Sequence, residues 1–269
     1  MTSYSRNLLM VISGLLLSAG MSGQATDTLW NQTDSQGLRQ GYWKKSYPDG
    51  NLIYKGFFKN GNPVGKMDRF YENGTRRAEL VNPEGTDFTY ARIFYRTGNL
   101  AAEGKYVNMA KDSIWSYYSY YSDDLMYTET YKTGLKDGES RKFYPGGQLA
   151  EIMTWQMDIK HGSWKQFFED STIRLISWHD SDQLHGRYQV YNRNHALIMD
   201  GKYDHGKMDK TWHFYDDNGK EKHALLYEKG ELQNNKELEE WAKKYMEEIE
   251  ENLGKIPEVD INNFFDKRE

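Results

Sequence analysis

Aromatic and apolar side chains recur along this chain with a period of about 24 residues. If Gly41 is numbered as column zero, related ten-residue segments begin at residues 65, 89, 113, 138, 162, 186 and 210. Column two carries tryptophan in four of these eight units, and column five is aromatic in seven of them. A fixed period of this length is typical of a repeat protein in which each unit is one supersecondary element.

Within each unit the pattern predicts strands. Columns two and six fall on one face of an extended strand, and column five falls on the other. Column nine is glycine in five units, as in Asp49-Gly50, and supplies the positive φ of a tight hairpin turn. A second extended stretch follows, for example residues 52–58. Each unit is therefore predicted to be one β-hairpin, and eight units predict about sixteen strands.

The predicted fold is all-β. Residues 41–233 are expected to form an elongated antiparallel β-meander of about eight stacked 24-residue hairpins, roughly 75 Å long if strands lie ~4.8 Å apart. A single sheet has two faces, so twist, a helix or a second chain must cover what remains exposed. Thr89, Ser113 and Lys210 replace the leading glycine of their units, which we expect to be bulged or irregular.

The period changes after residue 233. We predict an amphipathic helix over residues 234–254, with Asn234 as its N-cap and Glu237 completing a capping-box-like start. This helix either covers the open edge of the last hairpin or docks a partner. Residues 255–269 read as a polar tail. The helical spacing rests on Leu238, Trp241, Ala242, Tyr245, Ile249 and Leu253.

The N-terminal residues resemble a targeting segment. Arg6 precedes an apolar run of about ten residues, and small residues lead to Ala25. Residues 1–25 are therefore predicted to be a secretory signal peptide, which makes the mature protein periplasmic or extracellular. An uncleaved membrane anchor is the alternative, although a membrane span needs about 20 apolar residues. Residues 26–40 form a lead-in to the repeats.

Composition narrows the function classes. The chain has no cysteine, which excludes a disulfide framework, a thiolate metal site and a cysteine nucleophile. The net charge of −5 argues against a general nucleic-acid binder. That charge comes from residues 234–269, since the acidic and basic residues before them balance. The aromatic content of 15% argues against disorder over most of the chain.

Candidate chemistry is sparse. All seven histidines lie within residues 161–223, and His161 and His185 occupy the same column of successive units. We expect them two strands apart, about 10 Å, which is too far to share one metal directly. The stretch Asp216-Asp217-Asn218-Gly219 is similar to the start of a calcium loop but lacks its twelfth-position Glu, so we interpret it as a turn. No nucleophile elbow or phosphate-binding loop is present.

The repeat units resemble the bacterial variant of the MORN repeat. In that repeat an aromatic pair precedes a turn ending in glycine, and a short strand leads to a second glycine, as in Tyr47-Pro48-Asp49-Gly50 and Gly56. The resemblance covers residues 41–233. It implies a binding module: bacterial proteins of this type are often labelled antitoxin components (the YwqK-like group), and eukaryotic ones are linked to membrane tethering, lipid head groups and scaffolding.

We therefore predict a non-catalytic, exported repeat protein that binds a protein partner as a scaffold. We assign no catalytic, cofactor-binding or metal-binding residues, no cofactor and no nucleic-acid partner. The sequence leaves one enzyme class open, a glycosidase, because carboxylates that could form its catalytic pair are plentiful. Exposed Tyr and Trp would suit either a protein interface or stacking on sugar rings. The alternatives are a glycan- or lipid-head-group-binding module of the cell envelope, and an antitoxin-like inhibitor. The binding face and the oligomeric state stay open.

Overall fold

The computed structural model describes residues 28–253; the predicted signal peptide and polar tail lie outside the described residues. Nineteen strands form one antiparallel sheet in meander order, and the sheet does not close. The all-β meander is therefore confirmed. The strands are β1 (Gln32–Thr33), β2 (Arg39–Ser46), β3 (Leu52–Lys59), β4 (Asn62–Phe70), β5 (Arg76–Asn82), β6 (Phe88–Phe94), β7 (Leu100–Val107), β8 (Ala110–Tyr118), β9 (Leu125–Lys132), β10 (Leu135–Phe143), β11 (Leu149–Gln156), β12 (Ile159–Phe167), β13 (Ile173–Asp180), β14 (Gln183–Leu184), β15 (Gly186–Tyr191), β16 (Leu197–Asp204), β17 (Lys207–Tyr215), β18 (Glu221–Glu228) and β19 (Glu231–Leu232).

The repeat count also agrees with the sequence. Strands β14 and β15 are one strand interrupted at His185, and β1 and β19 are two-residue pieces at the ends of the sheet. The remaining strands are the two arms of eight hairpins, numbered below as units 1 to 8 from the N-terminus. Sixteen main strands are present, as predicted.

The two ends of the hairpins carry different turns. At one end, column nine adopts a positive φ in seven of the eight units, as at Gly50 (94°), inside a loop closed by backbone hydrogen bonds. At the other end, most units use a two-residue turn in which both residues have positive φ, as in a type I′ turn. Asn60-Gly61 (49° and 81°) suits this turn, whereas Met157-Asp158 (51° and 68°) adopts it without glycine or asparagine.

The expectation of irregular units at Thr89, Ser113 and Lys210 is partly wrong. Ser113 and Lys210 adopt φ values of 59° and 64°, close to the 67° of Gly65. The register shifts beside Gly65 as well, so a bulge at column zero is general and does not mark departures from the pattern. The unit that begins at Thr89 is the regular one, since β5 and β6 pair without a register shift.

One helix follows the sheet. Helix α1 (Glu239–Leu253) is preceded by a 3₁₀ turn (Lys236–Leu238), so the predicted helix is present. The predicted N-cap is wrong. The Asn234 side chain accepts a hydrogen bond from the Leu226 amide (2.6 Å) and donates one to the Ala224 carbonyl (3.3 Å). The amide therefore satisfies backbone groups of the outer strand β18, which would otherwise lack partners.

Helix α1 lies across a face of the sheet rather than along its edge. Trp241 packs 5.3 Å from Phe214, ring centre to ring centre, and Tyr245 packs 5.9 Å from the same ring. We call this face, which carries columns two and four, the helix face, and the opposite one the open face. The core under α1 contains Leu175, Tyr188, Val190, Met199, Tyr203, Trp212, Phe214, Leu225, Tyr227, Ala242, Met246 and Leu253.

Column two packs on the helix face by size complementarity with the preceding strand. Trp115 and Trp212 are fully buried. Each occupies the space where a side chain at Gly104 or Gly201 would project, so a Cβ at either glycine would collide with the indole ring. The indole N–H groups donate to the carbonyls one residue further on in those strands, at 3.0 and 3.1 Å. The interpretation of column two as internal packing is confirmed in these two units.

Candidate interaction surface

The open face changes character along the sheet. Column one is apolar in three of the first four units but polar in units 5 to 8, where it holds Glu139, Ser163, Arg187 and Thr211. Column sixteen is mixed, with exposed Trp178 and Leu226 in the later units. Units 1 to 4 thus present the larger group of exposed apolar side chains on this face: Tyr42, Phe57, Val81, Tyr90 and Ile114.

A shallow groove lies on the open face of units 3 and 4. Tyr90 on β6 and Ile114 on β8 form its walls, and β7 between them forms its floor. These two side chains are 52% and 62% exposed, and the groove encloses about 890 Å³. We call it the Tyr90 groove, defined by Tyr90, Arg92, Glu103, Lys105 and Ile114.

The charges around the Tyr90 groove are compensated. Arg92 Nε lies 3.5 Å from Glu103 Oε2, and Lys105 Nζ lies 3.0 Å from Asp112 Oδ1. The hydrogen bond from Lys105 is the main reason that the pKa of Asp112 lies below its usual value. The Tyr118 hydroxyl donates to Glu103 (2.6 Å), and burial together with this carboxylate raises the pKa of Tyr118 to about 12. An apolar centre with a paired polar rim is the arrangement of protein–protein interfaces.

The groove does not assemble a nucleophile with a base. The Ser113 hydroxyl donates to Asp112 (2.8 Å), but no histidine is among the residues that line the groove. A Ser–His–Asp arrangement is therefore not formed by these residues. The geometry of the groove supports binding.

The aromatic residues at column six are structural. The hydroxyl groups of the four tyrosines at this column donate to the backbone carbonyl of column five in the next unit, which links neighbouring hairpins. Tyr144 and Phe168 also line a cavity together with Leu253 of α1. The bonds are Tyr47 to Phe70 (3.3 Å), Tyr71 to Phe94 (2.8 Å), Tyr95 to Tyr118 (2.8 Å) and Tyr144 to Phe167 (2.8 Å).

Sequence reasoning missed the exposed side chains at column one. It followed the tryptophans of column two, which are the packed residues of unit 4 and unit 8. A strand places column one on the face opposite to column two, so Tyr42, Tyr90 and Ile114 were the residues to examine for exposure. The signal in the sequence was a large apolar side chain at column one, directly before the packed residue at column two.

The histidines divide into separate environments. His179 is buried against Trp164, and burial lowers its pKa. His223 packs 4.5 Å from the ring of Trp241 on α1. His161 and His185 lie at the type I′ end of the hairpins, where carboxylates and one further histidine, His205, come between them.

The calcium-loop stretch is a turn, as expected. Asp216 Oδ1 accepts hydrogen bonds from the amides of Asn218 and Lys220, each at 2.9 Å. These bonds hold the pKa of Asp216 below its usual value, with the Lys220 amide as the largest cause. An oxygen used in this way closes the loop on itself.

Comparison with known families supports a repeat architecture. The family model of the MORN repeat variant matches residues 39–60 and 136–157. These segments are the β2–β3 and β10–β11 hairpins of units 1 and 5. MORN repeats are a non-enzymatic repeat type and are commonly protein- or membrane-binding modules. No curated protein matches the chain. Within the described residues, no helix is long and apolar enough to cross a membrane.

Proposed function

We propose that this protein is a non-catalytic repeat scaffold that binds a protein partner through the open face of units 1 to 4. The observation that carries the proposal is the clustering of exposed apolar side chains there. Tyr90 and Ile114 flank a groove whose charges are already paired, so a partner would bury apolar surface without leaving an unpaired charge. Tyrosine and arginine are also enriched among residues that dominate binding energies.

Site-specific photo-crosslinking tests the location of this surface. A photoreactive phenylalanine analogue at position 90 is expected to crosslink one discrete protein in an extract of the producing cells. The matched control carries the analogue at position 211, the same column in unit 8, and is expected to give no such product. Ile114→Asp should abolish the crosslink from position 90, because it places a charge on the opposite wall of the groove.

Two results would contradict the proposal. Equal crosslinking from positions 90 and 211 would show that column one is not selective along the sheet. A crosslink that survives Ile114→Asp would show that the groove is not part of the interface. Circular dichroism of each variant checks that the sheet is intact.

A glycan ligand is the second candidate, and half-exposed Tyr42 and Tyr90 favour it because aromatic rings stack on sugars. A glycan array separates the candidates: binding that is lost in Tyr90→Leu would favour a sugar. The resemblance to bacterial proteins labelled antitoxin components adds one class of protein partner, a toxin, which the crosslinked product would identify.

We also propose export, on the basis of Arg6 and the apolar run that follows it. N-terminal sequencing of the protein recovered outside the cytoplasm should begin near Thr26. Recovery of the intact chain beginning at Met1 would contradict cleavage.

A further inference from the structure

A cluster of histidine and aspartate side chains lies at the type I′ end of units 6 and 7. Asp204 Oδ1 is 2.9 Å from His205 Nδ1 and 3.5 Å from His185 Nδ1. One ligand atom from each of these three residues lies within 4.8 Å of the other two. We propose that His185, Asp204 and His205 bind a divalent transition-metal ion of the Zn²⁺ type, with water completing the coordination.

The backbone brings these residues together. His185 interrupts the strand between β14 and β15. Asp204 ends β16, and His205 begins the turn that follows. The Gly206 amide donates to the Leu184 carbonyl (2.8 Å), directly before His185. The His205 amide also lies 3.4 Å from His185 Nδ1, a weak contact that metal binding at Nδ1 would replace. The turn is therefore held against His185 before any ligand binds.

The donor set and spacing fit zinc. Two imidazole nitrogens and one carboxylate, with an open fourth position, are a common tetrahedral zinc set. Tetrahedral Zn²⁺ with bonds of about 2.05 Å requires ligand atoms about 3.3 Å apart, which lies between the two distances from Asp204. Calcium and magnesium prefer oxygen ligands only, so a site with two histidines disfavours them.

The Asp180 carboxylate lies beside the ring nitrogen of His205 that would not bind the metal. His205 Nε2 lies 3.9 Å from Asp180 Oδ2, on the opposite side of the ring from Asp204. When Nδ1 binds the metal, the proton of the neutral imidazole is carried on Nε2 and faces this carboxylate. Carboxylates in this position orient ligating histidines and strengthen metal binding.

The preceding unit contains an incomplete copy of the site. His161 and Asp180 form the same pair, 3.4 Å apart, one period of 24 residues before His185 and Asp204. Ser181 occupies the position of His205 and has a similar φ, 53° against 46°. Duplication of the hairpin thus accounts for the pair formed by His185 and Asp204, whereas the third ligand, His205, has no histidine counterpart in the preceding unit.

Calorimetric titration of the untagged full chain with ZnCl₂ in a non-chelating buffer tests the proposal. We expect one saturable site and at least a tenfold loss of affinity in His185→Asn, Asp204→Asn and His205→Asn. Asparagine tolerates the positive φ of His205. The matched control is His195→Asn, which changes another turn histidine with positive φ (63°) that lies 3.8 Å from a carboxylate of Asp170. Its affinity should equal that of the unmodified protein.

A gain-of-site variant makes the assignment sharper. Ser181→His should raise the stoichiometry from one Zn²⁺ towards two, because it completes the copy in unit 6. The proposal is overturned if the unmodified chain shows no saturable binding, if His195→Asn weakens binding as much as His205→Asn, or if Ser181→His leaves the stoichiometry at one. MgCl₂ in place of ZnCl₂ should give no saturable binding, and equal binding of both ions would also overturn it.

Discussion

The helix face is covered in two different ways along the same sheet. Over β15–β18, α1 packs on Trp212, Phe214 and their neighbours to form the larger apolar core. In units 3 and 4 no helix is part of the corresponding cluster. There Lys111 Nζ lies 5.0 Å from the ring centre of Trp115 and donates to the Tyr117 hydroxyl (2.6 Å). A cation and tyrosines cover the central tryptophan, and a helix covers the C-terminal one.

The residue type at one position of the repeat accounts for the difference between the two kinds of cover. Two residues before column zero, Arg39 and Lys111 place cations over aromatic rings of units 1 and 4, whereas Leu184 and Met208 pack against the core under α1 in units 7 and 8. Amphipathic cations can cover a ring while the charged group stays near water. Next to the core under α1 the same position holds a partly buried apolar side chain instead. The repeat tolerates either cover with the same backbone.

Alkaline pH should unfold both regions, which is the largest effect expected. Burial raises the pKa of eleven tyrosines in the described residues, including Tyr95 to about 12, six of them at residues 95–131 and five at residues 188–245. In the unfolded chain tyrosine titrates near pH 10, so their contribution to stability is complete below about pH 10 and is lost as the pH rises through the folded-state values. The lowered pKa of Lys111, caused mainly by burial, acts in the opposite direction but is a single group.

Circular dichroism and tyrosinate absorbance followed from pH 9 to 12 measure this loss. Tyr117→Phe should make the decline less steep, and Tyr121→Phe, on a 91% exposed residue, should not. Retention of the full sheet signal at pH 12 would contradict the expectation.

Tryptophan truncation should separate the two ends of the sheet. Trp212→Ala should lower the free energy of unfolding by about 3–5 kcal/mol, because it removes a fully buried side chain from the larger core. Trp43→Ala, at the same column of unit 1, should cost less than half as much, since that ring is only half-buried. Urea denaturation of both variants measures the difference. Equal losses would show that the helix adds nothing to column two.

A reciprocal exchange tests the two kinds of cover. Met208→Lys should cost about 2 kcal/mol, because it places an ammonium group against the apolar core in place of a partly buried methionine side chain. Lys111→Met should cost about 1 kcal/mol through the lost hydrogen bond to Tyr117 and the lost contact with the rings. Thermal and urea unfolding of both variants compare these costs. If Met208→Lys lowers the free energy of unfolding no more than Lys111→Met does, the type of side chain at this position does not distinguish the two regions.

Column zero should respond alike in both regions, with the smallest effect. Ser113→Gly and Lys210→Gly should each stabilise the protein by about 0.5–1 kcal/mol, because glycine adopts their positive φ without strain. Thr89→Gly should destabilise it, since unit 3 has no bulge at this column. Urea midpoints decide the sign. Stabilisation by Thr89→Gly would contradict the assigned backbone.

The period of the sequence predicts local structure well because each hairpin is stabilised by its own turns and nearest neighbours. Gly50 and Asn60-Gly61 indicate turns directly from their chemistry. The position of α1 could not be predicted, since its apolar stripe fits an edge, a face or a partner equally. Asn234 shows the limit of a local motif, because its side-chain amide binds backbone groups on the outer edge of β18 instead of capping the helix.

The candidate sites show the same limit. His161 and His185 are related by the period, but His205 belongs to a turn in the following strand pair, and the tertiary structure places its ring 4.7 Å from that of His185. Exposure at Tyr90 and Ile114 depends on neighbours at columns three and sixteen, which vary between units. Columns predict which face a residue occupies, and packing decides whether it is exposed.

Helix α1 makes the C-terminal end of the sheet the stable platform, whereas units 1 to 4 leave an apolar face exposed. Residue-resolved amide hydrogen exchange of the free protein distinguishes the two regions, because protection reports the local opening free energy. We predict the slowest exchange in β16 and β17 under α1 and markedly faster exchange in β2–β5. Equal protection along the sheet, or slower exchange in β2–β5, would contradict the account.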